Sequence, residues 1–537
     1  MSAILSADDL NDFISPGVAC IKPVQNVSGS KDGQQDEVEI QIDQDGEPLE
    51  VSKADGEASK LNPAQISLSD CLACSGCITS AEEVLVAQHS HNELTRALEE
   101  NRTQQTKKVF VASVSHQSRA SLAGAYGVSV AVMDKLLIDL FVAQMGFTHV
   151  VGTSLGRSLS LIYEAQNIID RKTRGVSGPT LSSVCPGWVL YAEKTHPYVI
   201  PHMSDVKSPQ QITGCLLKSL VARELGISRD NIYHVSIMPC FDKKLESARP
   251  EKYDGELPSP DVDCVLTPKE LVTLIEENTN IYSLIPPHTD ITKLPQPASM
   301  SNIYKQVAPK TWPSIELAWA SNEGSSSGGY AYHYLAALQL HLMASDPSVY
   351  NPQEFELVTV GGRNSDVYEM RLLFRKEKVG SAAVVNGFKN IQNLVRRLKP
   401  SKSTVSSNPL ANRRRARLAK ANKSDDSSDT DQADPSKCDY VEIMACPNGC
   451  INGGGQISPP GDVSAKEWLA SIIDRYRSIE TISLFDSPDA RAVSDIIHWS
   501  SQFIDEFNIS EMRLSKTYFN TVEKPTDQAA LLLGTKW

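Results

Sequence analysis

The chain lacks an uninterrupted apolar run of about 18 residues, the minimum for a membrane-spanning helix. Its most apolar helical stretch, Val128 to Met145, is broken by Asp134, Lys135 and Asp139. Positive charge is also short: 52 Lys and Arg against 65 Asp and Glu leave a net −13. The chain as a whole therefore has no electrostatic basis for tracking nucleic acid or anionic lipid. Met1 to Leu10 carries Asp8 and Asp9 and no basic start followed by an apolar stretch, so no secretory signal is expected. No repeat of 20–50 residues is visible, which excludes solenoids and propellers. With 41% hydrophobic and 22% charged residues, neither wholesale disorder nor a disulfide scaffold fits.

What remains is a long chain of folded domains containing eleven cysteines. Without a secretory signal these read as cytosolic thiols, whose clustering points to metal, cofactor or redox work rather than disulfides. Beyond residue 107, short apolar runs alternate with helical stretches, as in Val109–Val114 followed by Leu122 to Met145. This pattern predicts an α/β fold with a parallel sheet. Further strands are expected at Thr148–Thr153, Leu181–Cys185, Tyr233–Met238 and Cys264–Thr267, and again between Phe355 and Val385. Functional residues in such sheets gather at strand ends. Cys185 and Cys240 both sit there.

The predicted organisation has four parts. Residues 1–106 form an N-terminal region with a polar hairpin arm, Asp36–Asp43 and Glu47–Ser52 around Gln44-Asp45-Gly46. Residues 107–398 form the main α/β region, in which Ser325 to Gly329 is a loop leading into a helix. Residues 399–437 form a charged insertion expected to be disordered, and 438–537 a C-terminal segment and tail. In the insertion a basic block, Arg413 to Arg417, precedes an acidic one, Asp425 to Asp434. This reads as a solvated linker, with a nuclear-import signal as the alternative.

The N-terminal cysteines are Cys71-Leu-Ala-Cys74-Ser-Gly-Cys77, with Cys20 far upstream. The two-residue gaps match the first three positions of the ferredoxin run C-x2-C-x2-C-x3-C-P. The fourth position fails, because residue 81 is Ala. A four-iron cubane would take its last thiolate from Cys20, the only other N-terminal cysteine. A structural zinc is the alternative, disfavoured by the tight triple spacing.

A second group is dispersed over Leu181-Ser-Ser-Val-Cys185-Pro-Gly-Trp188, Met238-Pro-Cys240-Phe-Asp-Lys243-Lys-Leu-Glu246 and Met444-Ala-Cys446-Pro-Asn-Gly-Cys450-Ile-Asn-Gly-Gly-Gly-Gln456. Four thiolates is the number a cubane needs. Gly453-Gly454-Gly455 would let backbone approach a bulky inorganic ligand. Taken singly, each cysteine also fits a buried structural role. Cys215 and Cys264 lie in apolar helix and strand patterns and read as core residues. Cys438 borders the charged insertion as a disfavoured substitute ligand, and His234 reads as a strand residue.

In this order, the three segments resemble the cluster-binding motifs of iron-only hydrogenases. With Cys20 and Cys71 to Glu82 added, the pattern is similar to the hydrogenase-like cytosolic iron-sulfur assembly factors, also called the nuclear architecture related or prelamin-A-recognition-factor-like family. The resemblance implies an iron-only-hydrogenase-like fold, with parallel sheets flanked by helices and clusters at strand ends, plus a small N-terminal cluster-binding region. It implies two 4Fe-4S clusters, one on Cys20, Cys71, Cys74 and Cys77 and one on Cys185, Cys240, Cys446 and Cys450.

In hydrogenases a proton-transferring cysteine precedes the first of the dispersed ligands; here that position is Val184, which cannot relay a proton. The implied role is therefore non-catalytic: maturation or transfer of clusters to extramitochondrial apoproteins. An active hydrogenase and a zinc-stabilised binding module are the rival readings. Lys243 either bonds a polar ligand beside the cluster or forms a surface ion pair with Glu246. The implied partners are other cytosolic Fe-S assembly proteins and apoprotein clients, with no membrane and no direct nucleic acid. A late targeting complex would be engaged through Trp537, which ends the tail Ala529 to Trp537, although Lys536 occupies a position that is often acidic in such tails. The expected location is the cytoplasm, with the nucleus open through the 413–417 block.

Overall fold

The computed structural model describes residues 38–42, 48–52, 58–60, 89–104, 107–249, 259–285, 300–314, 318–400, 432–485 and 491–520. The chain divides into two compact units, residues 1–83 and 84–537. In the first, β1 (Val38–Ile42) and β2 (Pro48–Ser52) pair antiparallel with Ile40 opposite Glu50, as the alternating pattern predicted. A third strand that the sequence did not reveal, β3 (Ala58–Lys60), continues this sheet on β2.

The second unit begins before the predicted boundary at 107. Its first described helix, His91–Thr103, packs on the strand Cys264–Leu266 and the helix Pro268–Glu277. A four-stranded parallel sheet follows, built from β4 (Val109–Val114), β5 (His149–Gly152), β7 (Ile232–Ile237) and β8 (Cys264–Leu266), in the order β5-β4-β7-β8. Val111, Ala112, Val114, Val150, Val151, Val235 and Ile237 are all fully buried. Near-continuous apolar runs of this kind are what strands covered on both faces require. The helix Pro209–Leu225 packs on β4 and β7, and Cys215 and Cys264, both fully buried, lie in this core as expected.

The second large sheet is mixed, a departure from the parallel expectation. Here β10 (Phe355–Gly361), β11 (Val367–Phe374) and β12 (Glu377–Asn386) run antiparallel. From β12 the sheet continues in parallel through β13 (Tyr440–Met444) to β6 (Thr180–Leu181). The short connections after β10 and β11 permit hairpins, whereas parallel neighbours need long crossovers. The helix Tyr330–Ser345 covers β11, β12 and β13. A two-stranded parallel pair, β9 (Ser321–Asn322) with β14 (Thr481–Ile482), lies apart.

The stretch read as one helix from Leu122 to Met145 is interrupted. Helix His116–Ala125 stops where Gly127 takes φ +66°, a second helix runs Val130–Ile138 from the Ser129 cap, and Asp139–Gln144 widens into a π turn. Glycine at positive φ ends helices because it has no Cβ to clash. The first two of these helices are tied by a buried ion pair, Arg119 to both oxygens of Asp134. Tyr304 Oη donates to the same carboxylate at 2.7 Å. Of the insertion 399–437, residues 401–431 lie outside the described set. At its far edge Asp434 caps the turn Pro435–Lys437 and pairs with Arg397.

Candidate metal centre

Three strand ends build the site. Strand β6 is only two residues long, and Ser182 to Val184 continue it without pairing as strand. Cys185 then sits immediately before the helix Pro186–Thr195. Pro186 suits that first position because the N–H it lacks would have no helical partner there. Trp188, fully buried, donates from Nε1 to Ser182 O at 2.9 Å and fixes helix to strand. Cys240 follows β7 and precedes the helix Asp242–Ser247. Cys446 and Cys450 follow β13, in a turn that places Asn448 at φ 60° and Gly449 at φ 80°.

Because β6 and β13 are parallel neighbours, Cys185 and Cys446 leave the same edge of one sheet. The Ala445 N–H donates to Cys185 Sγ at 3.3 Å. Cys240 arrives from the other sheet. Its loop meets the glycine run, with Gly455 N–H donating to Pro239 O at 3.0 Å. A Cβ on Gly453 would lie 2.3 Å from Pro239 O, and one on Gly455 2.3 Å from Thr267 Cγ2. These two glycines are thus required by the Cys240 loop and β8 pressing on them, a protein-to-protein approach that the sequence reading assigned to the inorganic ligand.

The four thiols influence one another. Burial pushes Cys185 up to about 12, with Cys450 adding to it. Cys240 and Cys446 are driven well above the ordinary thiol range by burial and by neighbouring acidic groups, and Cys450 is raised by burial. Four thiolates this close, with Cys185 buried and Cys240, Cys446 and Cys450 half-buried, repel one another and have lost much of their hydration, so they persist only around a compensating cation. Zinc would draw four sulfurs to within about 3.8 Å of each other, given Zn–S bonds of about 2.3 Å. Four cysteine thiolates are equally the donor set of a four-iron cluster, which Cys185, Cys240, Cys446 and Cys450 would hold.

Beside the thiols lies a cavity of about 50 Å³ lined by Val184, Met238, Lys243, Met444 and Cys450. Lys243 is not on the surface. Its Nζ donates to Val184 O at 3.0 Å and to both oxygens of Glu246 at 2.9 Å, with both side chains mostly buried. The ion pair half of the sequence reading holds, but as an internal brace between the Cys185 and Cys240 segments. Cys438 lies at the opposite end of β13 and donates to Asp434 O, so it is no substitute ligand. His234 is a buried β7 residue bonded to Ser113 Oγ and Asp261 O.

Residues 515–520 strap the back of the site. Ser515 O accepts from Lys207 N, and Thr517 N donates to Asp205 O. Tyr518 O accepts from Arg249, and Asn520 N donates to Glu193. Arg249 and Glu193 are themselves paired, joining the helix after Cys185 to the chain just beyond the helix after Cys240. Cys20, Cys71, Cys74, Cys77 and Trp537 lie outside the described residues.

Helix-flanked sheets with cysteines at their strand ends belong here to an iron-only-hydrogenase-like protein, the class that the family match defines. Residues 108–454 match the family model described as "Iron only hydrogenase large subunit, C-terminal domain". Among solved structures, a variant of apo [FeFe]-hydrogenase HydA1 from Chlamydomonas reinhardtii matches with a TM-score of 0.54 at 21% identity, over 80% of this chain and 99% of that one. That likeness is one of fold. Relatives named "Cytosolic Fe-S cluster assembly factor NAR1" are much more similar in sequence. The one from Debaryomyces hansenii is 61% identical over 100% of both chains, and the one from Saccharomyces cerevisiae 39% identical over 90% of this chain and 92% of its own. The chain belongs to this family of hydrogenase-like cytosolic Fe-S cluster assembly factors.

Proposed function

We propose that the protein works in cytosolic iron-sulfur protein assembly, carrying two 4Fe-4S clusters and aiding their delivery to extramitochondrial apoproteins. The observation that carries this reading is the convergence of Cys185, Cys240, Cys446 and Cys450 from three distant segments beside Val184. A bound 4Fe-4S cluster would supply one-electron chemistry and a metal core that neutralises the buried thiolates. The chain's own residues exclude water from it, while Lys243 braces two of its segments. A second cluster falls to Cys20, Cys71, Cys74 and Cys77. The protein is not a hydrogenase on this reading: by resemblance, Val184 stands where hydrogenases place a proton-transferring cysteine, and its side chain has no proton to give.

It acts in the cytoplasm, with other assembly proteins and apoprotein clients as partners and Trp537 as the contact for a late targeting complex. Purification without oxygen tests the reading. Broad visible absorption with equal iron and sulfide is expected, and Cys446→Ala should lower both iron content and soluble yield. Full iron in that variant overturns the ligand assignment; hydrogen evolution would mean a hydrogenase, and colourless zinc-loaded protein a zinc module.

A further inference from the structure

Residues 515–520 are held on the body differently from the core beneath them. Leu514 and Ser515 are buried, but Lys516 to Phe519 are half-buried and Asn520 is exposed. Hydrogen bonds rather than buried side chains therefore do most of the holding. Lys516 pairs antiparallel with Val206 in an isolated bridge. Around it, Lys207 N–H donates to Ser515 O at 2.7 Å and Thr517 N–H to Asp205 O at 2.6 Å. Lys516 Nζ reaches the Asp205 carboxylate at 2.8 Å. Further out, Arg249 Nη1 donates to Tyr518 O at 3.2 Å and Asn520 N–H to Glu193 Oε1 at 2.7 Å.

What the strap holds leads to the cysteines. Val206 O accepts from the Oγ of Ser183, two residues before Cys185, at 3.1 Å. Ser208 Oγ donates at 2.8 Å to Glu246, the carboxylate that braces Lys243 against Val184 O. Glu193 lies on the helix that opens after Cys185, and Arg249 just beyond the helix that follows Cys240. Under the strap is a cavity of about 40 Å³, with Ser183, Ser208, Glu246 and Arg249 on the body side and Lys516 to Tyr518 on the strap side. A polar space larger than about 10–15 Å³ has room for water. Lifting the strap therefore opens a wet route to the segments that carry Cys185 and Cys240, and removes bonds from both.

We propose that residues 515–520 are a latch on the four-cysteine centre, whose local opening, ahead of any unfolding of the domain, limits loss of the cluster bound there. This rests on the assignment of a cluster to these four cysteines. A segment with few buried apolar contacts and hydrogen bonds near solvent opens far more often than the whole fold. Peeling starts at the exposed Asn520 and runs toward the buried Leu514, so the bonds to Glu193 and Asp205 break on the way. One net hydrogen bond shifts such an equilibrium by about two- to twelvefold. Losing both should speed release about tenfold or more.

The test uses the full-length chain carrying Cys74→Ala, which on the proposed assignment leaves one cluster. Thr517→Pro with Asn520→Pro removes both N–H donors, whereas Thr517→Ala with Asn520→Ala keeps them. Chelator-driven release, read by loss of visible absorption, should be about tenfold faster or more in the proline variant and at the parent rate in the alanine variant. Parent rates in both overturn the proposal, as does equal acceleration in both, which would place the effect in the side chains. Urea supplies a second reading that needs no strap variant. A local opening exposes little surface, so release should stay nearly constant up to about 1 M urea. A steep rise would assign release to unfolding and overturn the latch even if the proline variant is insoluble. Adding Cys446→Ala must abolish the absorption; a cluster that survives there is a failure of the ligand assignment, distinguishable from a failure of the latch.

Discussion

Gly453→Ala tests whether the two cysteine loops must touch for the cluster to stay. Gly453 has φ −62° and ψ 148°, which any residue adopts, so the substitution carries no backbone strain. Its cost is steric. The new Cβ would stand 2.3 Å from Pro239 O and 2.9 Å from Pro239 C. Reaching even a tight 3.0 Å from the oxygen requires the loops to part by 3.0 − 2.3 = 0.7 Å, and both partners are backbone. Overpacking of this kind costs about 1–3 kcal/mol, and the neighbouring bond from Gly455 N–H to Pro239 O adds about 1 kcal/mol if it breaks. The chain without a cluster can relax by letting the loops separate; the loaded chain cannot. The penalty of about 2–4 kcal/mol therefore falls on cluster binding, a roughly 30- to 800-fold weaker hold. Chelator-driven iron release, followed by loss of visible absorption, reads it directly. Gly461→Ala is the control, since nothing lies within 4 Å of its Cβ. That variant should match the parent or gain up to about 1 kcal/mol. Release from Gly453→Ala at the parent rate would refute the reasoning.

A cluster held as proposed by Cys20, Cys71, Cys74 and Cys77 should bleach first in air, because the sequence around these cysteines is rich in Gly, Ser and charged residues; unchanged loss kinetics in Cys74→Ala would contradict this. On the proposed docking role, deleting Trp537 should weaken binding to a late targeting complex by roughly tenfold or more with iron content unchanged, as measured by pull-down and iron assay. Burial lifts the Glu164 carboxyl to about 7, against hydrogen bonds from Ser204 and Tyr440. Its folded-state value is raised, so its contribution to stability is full below the ordinary 4.5 and is lost as pH rises through about 7. Glu164→Gln should flatten that decline in thermal melts between about pH 5.5 and 8. Arg119→Met strands Asp134 in the core and should cost about 3–5 kcal/mol; adding Asp134→Leu should recover most of it, as measured by denaturant unfolding.

The parallel sheet was legible because β4, β5, β7 and β8 are buried along most of their length and so appear as short, largely apolar runs. The four convergent cysteines were legible for a related reason: each follows a strand and is joined to Pro or Gly. Local pattern failed where tertiary contact decides. Ser183 and Val184 look like strand, yet only Ser182 keeps a backbone bond to β13 before the chain delivers Cys185. Gly127 interrupts a continuous apolar pattern through its positive φ alone. The serines at 325 to 327 carry no signal beyond that of a loop, because their partners, Glu442 and Cys450, are more than a hundred residues away in sequence.

The strap at 515–520 sets when the basin can close during synthesis. Chains emerge from the ribosome N-terminus first, and domains fold as their residues become available. A nascent chain that has delivered Cys185 and Cys240 has yet to make Cys446, Cys450 or the residues whose backbone bonds to Glu193 and Arg249. Until then the Cys185 helix and the Cys240 loop lack their common clasp, and their thiols face solvent. Closure of the basin therefore follows synthesis of residue 520. Ribosome-bound intermediates halted before residue 515 should react with thiol reagents at Cys185 and Cys240, whereas the finished, loaded protein is protected there.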